Sequence, residues 1–266
     1  MINDKNEKRK LIMKNYAAVA VKGSTGGCCS SSNSNCSCAG TPASIRESTL
    51  QIGYSEDDLS SVPEEANMGL GCGNPLAMAA LKKGETVLDL GSGGGFDCFL
   101  ARRKVGSEGH VIGVDMTPDM IMLARKNTQK SGYTNVEFRL GEIEHLPVAD
   151  AAVDVIISNC VINLAQEKEQ VFADAWRVLK PGGRLSVSDV VATAELPEKI
   201  KEDLAMMTGC VAGAEYVETI RAMMLKAGFK NITLTPKDNS RDILSSWAPG
   251  SKIEDFVASF IIEATK

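Results

Sequence analysis

The chain has 266 residues, 44% of them hydrophobic, and a formal net charge of -5, enough apolar content for one sizeable core with extensions. The acid excess lies after residue 50, because the first fifty residues hold 7 basic and 3 acidic side chains, so a nucleic-acid partner is not expected. No apolar run reaches the roughly 18 residues of a membrane span, and Lys14, Asn15 and Lys22 spoil residues 11–21 as a signal sequence, which places the protein in the cytoplasm.

Residues 5–20 carry Leu11, Ile12, Tyr16 and Val19 at helical spacing, and Lys5, Lys8, Arg9, Lys10 and Lys14 read as that helix's solvated face. Residues 23–40, rich in Ser, Gly, Asn and Cys, cannot build a core and are expected to form a mobile arm. From residue 84 onward short apolar runs alternate with segments of helical period, the mark of βα units around a parallel sheet. Strands are expected near 86–90, 111–115, 136–139, 153–158 and 184–188. One helix, 118–131, has Thr117 as its cap, Pro118 at its first position and Gly132 just past its end. Another, 169–179, shows Val171, Ala175, Val178 and Leu179 on one face before Lys180, Pro181, Gly182 and Gly183 turn the chain. Beyond residue 190 two helices, 198–207 and 217–227, and two strands, 232–234 and 257–264, complete either the sheet or an appended lobe.

The apolar strand Val87 to Leu90 feeds Gly91, Ser92, Gly93, Gly94, Gly95 and Phe96, a turn in which missing side chains let a ligand approach the backbone. With Phe96 where a dinucleotide fingerprint needs its third glycine, the spacing disfavours NAD or FAD. Asp115 ends the next strand, 24 residues beyond Gly91, where a carboxylate can accept from ribose hydroxyls or cap the following helix. Glu142 is placed to accept from an adenine amino group and Ile143 to pack on the ring; an ordinary acidic loop is the alternative. With these residues in place, residues 70–190 resemble the class I methyltransferases that use S-adenosylmethionine. That resemblance implies a donor site formed by Gly91, Ser92, Gly93, Asp115, Met116, Glu142, Ile143 and Asn159.

Eight cysteines are many for a reducing compartment. Cys28, Cys29, Cys36 and Cys38 cluster in the arm, without the two-residue gaps of a usual zinc site. Cys98, among Phe96, Phe99, Leu100 and Ala101, reads as core. Cys160 follows the fourth strand at the sheet's carboxyl edge, where it is either a small buried hydrophobe or a thiolate for a soft, thiophilic element. Cys72, between two glycines expected to give an exposed backbone, and Cys210 lie in loops 88 and 50 residues from Cys160, so only the fold can gather them.

Gly71-Cys72-Gly73, Ser158-Asn159-Cys160-Val161-Ile162-Asn163-Leu164 and Gly209-Cys210 resemble the three cysteine motifs of arsenite methyltransferases. Ser188-Asp189-Val190 and Glu195-Leu196-Pro197 extend the resemblance, which runs from about residue 46 to the end. It implies Cys72, Cys160 and Cys210 as arsenic ligands, arsenite and methylarsenite as substrates, and glutathione or thioredoxin as reductant. A monomer is expected. The expected architecture is α/β: a helix and cysteine-rich arm over 1–45, a Rossmann-like donor-binding sheet over 46–190, and a smaller α+β lobe over 191–266. The rival readings are a methyltransferase for a small organic acceptor such as a quinone, and a thiol-rich sequestration protein without chemistry.

Overall fold

The computed structural model describes residues 4–22, 42–201, 203, 206, 208–247 and 250–266. The expected arm, with Cys28, Cys29, Cys36 and Cys38, therefore lies outside the described residues. Helix α1 (Lys5–Lys22) is followed by α2 (Pro42–Gln51), α3 (Glu56–Ser60) and α4 (Pro75–Ala79). Then come β1 (Thr86–Leu90), α5 (Phe96–Val105), β2 (His110–Asp115), α6 (Pro118–Ser131), β3 (Val136–Leu140), β4 (Val153–Asn159), α7 (Lys168–Val178) and β5 (Leu179–Ala192). The chain continues through α8 (Glu198–Lys201), α9 (Val217–Ala227), β6 (Lys230–Pro236), α10 (Ser240–Trp247) and β7 (Val257–Thr265).

The seven strands form one sheet in the order β3-β2-β1-β4-β5-β7-β6. The first five pair in parallel, while β7 runs antiparallel to both β5 and β6. The last two strands thus complete the sheet, one of the two placements left open by the sequence, and residues 191–266 share that sheet with the donor-binding units. Val87, Leu88 and Leu90 of β1 and Val155, Ile156 and Ile157 of β4 are fully buried, as central parallel strands covered on both faces must be. The order reverses between β1 and β4, whose carboxyl ends therefore flank the crevice where open α/β sheets bind ligands.

Two sequence expectations need correction. Thr117 stands at the N-cap of α6 but its hydroxyl makes no capping bond; the Asp115 carboxylate takes its backbone N–H at 2.8 Å instead. Cys72, expected on an exposed backbone, is fully buried, backbone included. Helix α1 packs onto the rest of the chain: Ile12 and Val19 are buried, α1 lies against α6, and the Tyr16 hydroxyl donates to the Thr208 carbonyl at 3.1 Å.

Candidate active site

At the carboxyl edge of the sheet lies a cavity of about 480 Å³, walled by loops from both halves of the chain and by α1, α2 and α10. The β1–α5 turn forms its floor. Gly91 and Gly95 have φ of +72° and +93°, a region that favours glycine. A Cβ on Gly91 would sit 2.4 Å from Val161 Cγ2, and one on Gly95 would sit 2.6 Å from the tip of Phe138. The missing side chains therefore let the loop close down on β3 and on the segment after Cys160.

Asp115 anchors this loop, its Oδ2 accepting the Gly93 N–H at 3.0 Å while Oδ1 accepts that of Thr117. Burial pushes its carboxyl up, opposed by those two backbone bonds. Asp89 and Asp97 also face the cavity. Burial raises both, Asp97 to about 6, and the neighbouring Asp97 charge raises Asp89 further. The buried Ser92 hydroxyl has no hydrogen-bond partner among the described residues. Three carboxylates and an unsatisfied hydroxyl around a glycine cradle fit a ligand bearing positive charge, ribose hydroxyls and an amino group, as S-adenosylmethionine does.

Of the expected donor residues, Gly91, Ser92, Gly93, Asp115, Met116, Ile143 and Asn159 all line the cavity. Glu142 does not; its carboxylate meets Arg9 Nη1 of α1 at 3.2 Å, and it is Glu144 beside Ile143 that reaches the wall. Sequence reasoning missed Tyr54 and Asp97. The Tyr54 hydroxyl donates to Asp97 Oδ1 at 2.6 Å and receives Asn159 Nδ2 at 3.0 Å. Asn159 also donates to Gly73 O at 2.7 Å and accepts the Cys72 N–H at 3.0 Å. One side chain thereby ties the glycine-loop helix to the Cys72 loop. Only the long-range packing of residue 54 reveals this, since no local pattern marks it.

Cys72, Cys160 and Cys210 lie in one apolar cluster with Leu164, Val211 and Ile253. Cys160 and Cys210 face the cavity, with Cys72 behind them against the Ser188 hydroxyl at 3.5 Å. The Cys210 thiol donates to the Cys160 carbonyl at 2.7 Å. Both residues adopt left-handed φ, +55° and +65°, a strain that persists only where surrounding structure imposes it. Burial pushes the Cys160 thiol well up, reinforced by its contacts with Cys210 and Cys72. The contact with Cys160 pulls the Cys210 thiol down, but burial and the Asp189 and Cys72 charges leave it raised. Among the described residues no group of three or more His, Cys, Asp or Glu is already disposed as a metal site. Cys98 is core, as expected, with its thiol 3.3 Å from Asp89 Oδ2. Neither His110, which meets Glu137 at 3.0 Å, nor His145 lines the cavity.

A family described as a methyltransferase domain matches residues 81–237. The chain is 51% identical to an arsenite methyltransferase of Halobacterium salinarum over 99% of its own length and 68% of that protein's. It is 41% identical to an arsenite methyltransferase of Aquipseudomonas alcaligenes over 63% of its length, spanning half of that relative. Among solved structures it resembles an arsenic(III) S-adenosylmethionine methyltransferase from Chlamydomonas reinhardtii, with TM-score 0.59 and 30% identity, covering 83% of this chain and 72% of that one.

Proposed function

The chain belongs to the arsenite methyltransferase family, and from that membership we propose that it methylates trivalent arsenic held by the thiolates of Cys72, Cys160 and Cys210, with S-adenosylmethionine as methyl donor. The observation that carries the reading is the shared cavity: Cys160 and Cys210 stand in its wall together with Gly91, Ser92, Gly93 and Asp115. A thiol-rich sequestration protein has no use for that donor cradle, and a quinone methyltransferase has no use for clustered thiols.

S-adenosylmethionine supplies an electrophilic methyl group on a sulfonium. Asp115 spends two acceptor positions on Gly93 and Thr117 and keeps the rest of its carboxylate lone pairs for ribose hydroxyls. Ser92 offers its unsatisfied hydroxyl, and Ile143 an apolar surface for the adenine. Glu142, directed at Arg9, is reserved for the adenine amino group only if that ion pair opens.

Buried thiols that resist ionisation suit arsenite, because replacing each As–OH by As–S releases one water with the thiol hydrogen on the departing hydroxyl. No net charge is created in the apolar cluster. The Cys210 thiol leaves the Cys160 carbonyl to make its bond. The arsenic lone pair then takes the methyl group without losing a proton, so no general base is required and positioning carries the catalysis. Methylated arsenic is formally pentavalent. Two sulfur ligands leaving as a disulfide return two electrons to it, water takes the vacated position and gives up a proton, and a thiol reductant, glutathione or thioredoxin, regenerates the two thiols. That cycle suits a monomer in a reducing cytoplasm; among the described residues no helix is long and apolar enough to cross a membrane.

The test is product speciation after incubation with arsenite, labelled S-adenosylmethionine and a thiol. Label in methylated arsenicals supports the reading, and arsenite binding without label transfer would leave only sequestration.

A further inference from the structure

Cys160 and Cys210 come from loops 50 residues apart, yet a dithiol can chelate arsenic only if the separation of those loops is fixed. The link is Asn163, which does not line the cavity. Its Nδ2 donates to the Cys210 carbonyl at 3.0 Å and to the Val190 carbonyl at 2.6 Å. It also meets Asp189 Oδ1 at 3.0 Å. Asp189 is buried at the end of the parallel part of β5 and accepts two further backbone bonds, from Ile162 at 3.0 Å and Val190 at 2.8 Å. The two loops also touch through their backbones: a Cβ on Gly213 would lie 2.2 Å from the Asn163 carbonyl oxygen.

Cys72 is held separately. Its N–H goes to Asn159, and its carbonyl accepts from the Ser259 hydroxyl at 2.9 Å and Lys237 Nζ at 3.3 Å. None of these partners is shared with Asn163.

We propose that Asn163, oriented by Asp189, is a positioning residue that sets the Cys160–Cys210 dithiol independently of Cys72 and of the donor site. The proposal rests on the three-thiolate reading above. Methylarsenite, CH3As(OH)2, has two exchangeable hydroxyls; two thiols replace them with release of two waters. Its binding therefore depends on this pair, whereas donor binding does not.

The experiment measures the Kd of monomethylarsenite by tryptophan fluorescence, Trp247 being in the cavity wall, and the Kd of S-adenosylmethionine by calorimetry. Asn163→Ala should weaken monomethylarsenite at least tenfold and change the donor Kd less than twofold. Gly213→Ala, which pushes the Cys210 loop off Asn163 from the other side, should show the same split and decides the matter if Asn163→Ala does not fold. The double swap Asn163→Asp with Asp189→Asn restores a hydrogen bond between positions 163 and 189 but leaves no donor for the Cys210 carbonyl, so it should stay weak. Recovery of affinity in the swap would reduce Asn163 to a packing role. Unchanged monomethylarsenite affinity in Asn163→Ala or Gly213→Ala, or equal loss of both ligands, would overturn the proposal alone; failure of the wild-type protein to bind monomethylarsenite would overturn the three-thiolate reading with it.

Discussion

Gly91 is the position where cofactor loop and acceptor loop meet, so Gly91→Ala tests their coupling. The new Cβ would lie 2.4 and 2.5 Å from Val161 Cγ2 and Cγ1, at a φ of +72°. Overpacking of this kind typically costs about 1–3 kcal/mol, and the left-handed conformation adds roughly 1–2 kcal/mol for a residue with a Cβ. The sum, about 2–5 kcal/mol, is a large share of a domain's stability. Because Val161 follows Cys160, relief of the clash also displaces the thiol. Val161→Ala removes both methyl contacts but keeps the Val161 Cβ, 2.9 Å from the new atom, so it should restore part of the steric cost and leave the backbone part, giving a coupling of up to about 1–3 kcal/mol in a double-mutant cycle. Denaturant melts give the stability terms, and calorimetry with S-adenosylmethionine gives the donor affinity of each variant. Strict additivity of the two substitutions would refute the reasoning, because the loops would then not be in contact.

Asp115→Ala should weaken S-adenosylmethionine by about 1.5–3 kcal/mol, the worth of hydrogen bonds to a charged acceptor, while arsenite affinity holds; calorimetry with both ligands checks it. Removing residues 1–22 should destabilise the protein, since Ile12 and Val19 are buried and full burial of such side chains is worth about 1.5–3 kcal/mol each; an unchanged melting temperature would show α1 to be dispensable. Asp97, raised from 3.8 to about 6 by burial, holds its proton more tightly folded than unfolded, so its contribution to stability is full below pH 3.8 and is lost as pH rises through 6. Melting temperatures between pH 4 and 7 should show this slope in the wild-type protein and less of it in Asp97→Asn.

The parallel sheet was legible in the sequence because β1, β2 and β4 are apolar runs closed by Gly91, Asp115 and Asn159, and the glycine turn follows β1 directly. The short helices α2, α3 and α4, and α10 near the end, were not anticipated. Their segments are brief: local caps mark α3, with Ser55 and Asp58, and α4, with Asn74 before Pro75, but their anchoring is distant, as Asn74 Nδ2 reaches the Gly53 carbonyl and Asn239 the Gln51 carbonyl. Within the expected helix 198–207, Glu198–Lys201 and Met206 are helical and Asp203 is not, so among the described residues the helix is interrupted. Cys160 could be placed from its strand end alone. Burial of Cys72 could not, because glycine neighbours suggest exposure, and the groups that enclose that loop, Asn159, Ser188, Lys237 and Ser259, stand 87 to 187 residues away in sequence. Likewise, the diversion of Glu142 to Arg9 depends on α1 folding back over the site, a contact that no local pattern encodes.

Unequal roles for the three cysteines are the most direct consequence of the proposed chemistry. Product formation should be measured for Cys72→Ser, Cys160→Ser and Cys210→Ser, with arsenite and separately with monomethylarsenite. The account predicts that Cys160→Ser and Cys210→Ser methylate neither substrate, and that Cys72→Ser methylates monomethylarsenite but not arsenite, which needs a third thiolate in place of the methyl group. Full methylation of arsenite by either Cys160→Ser or Cys210→Ser would contradict it.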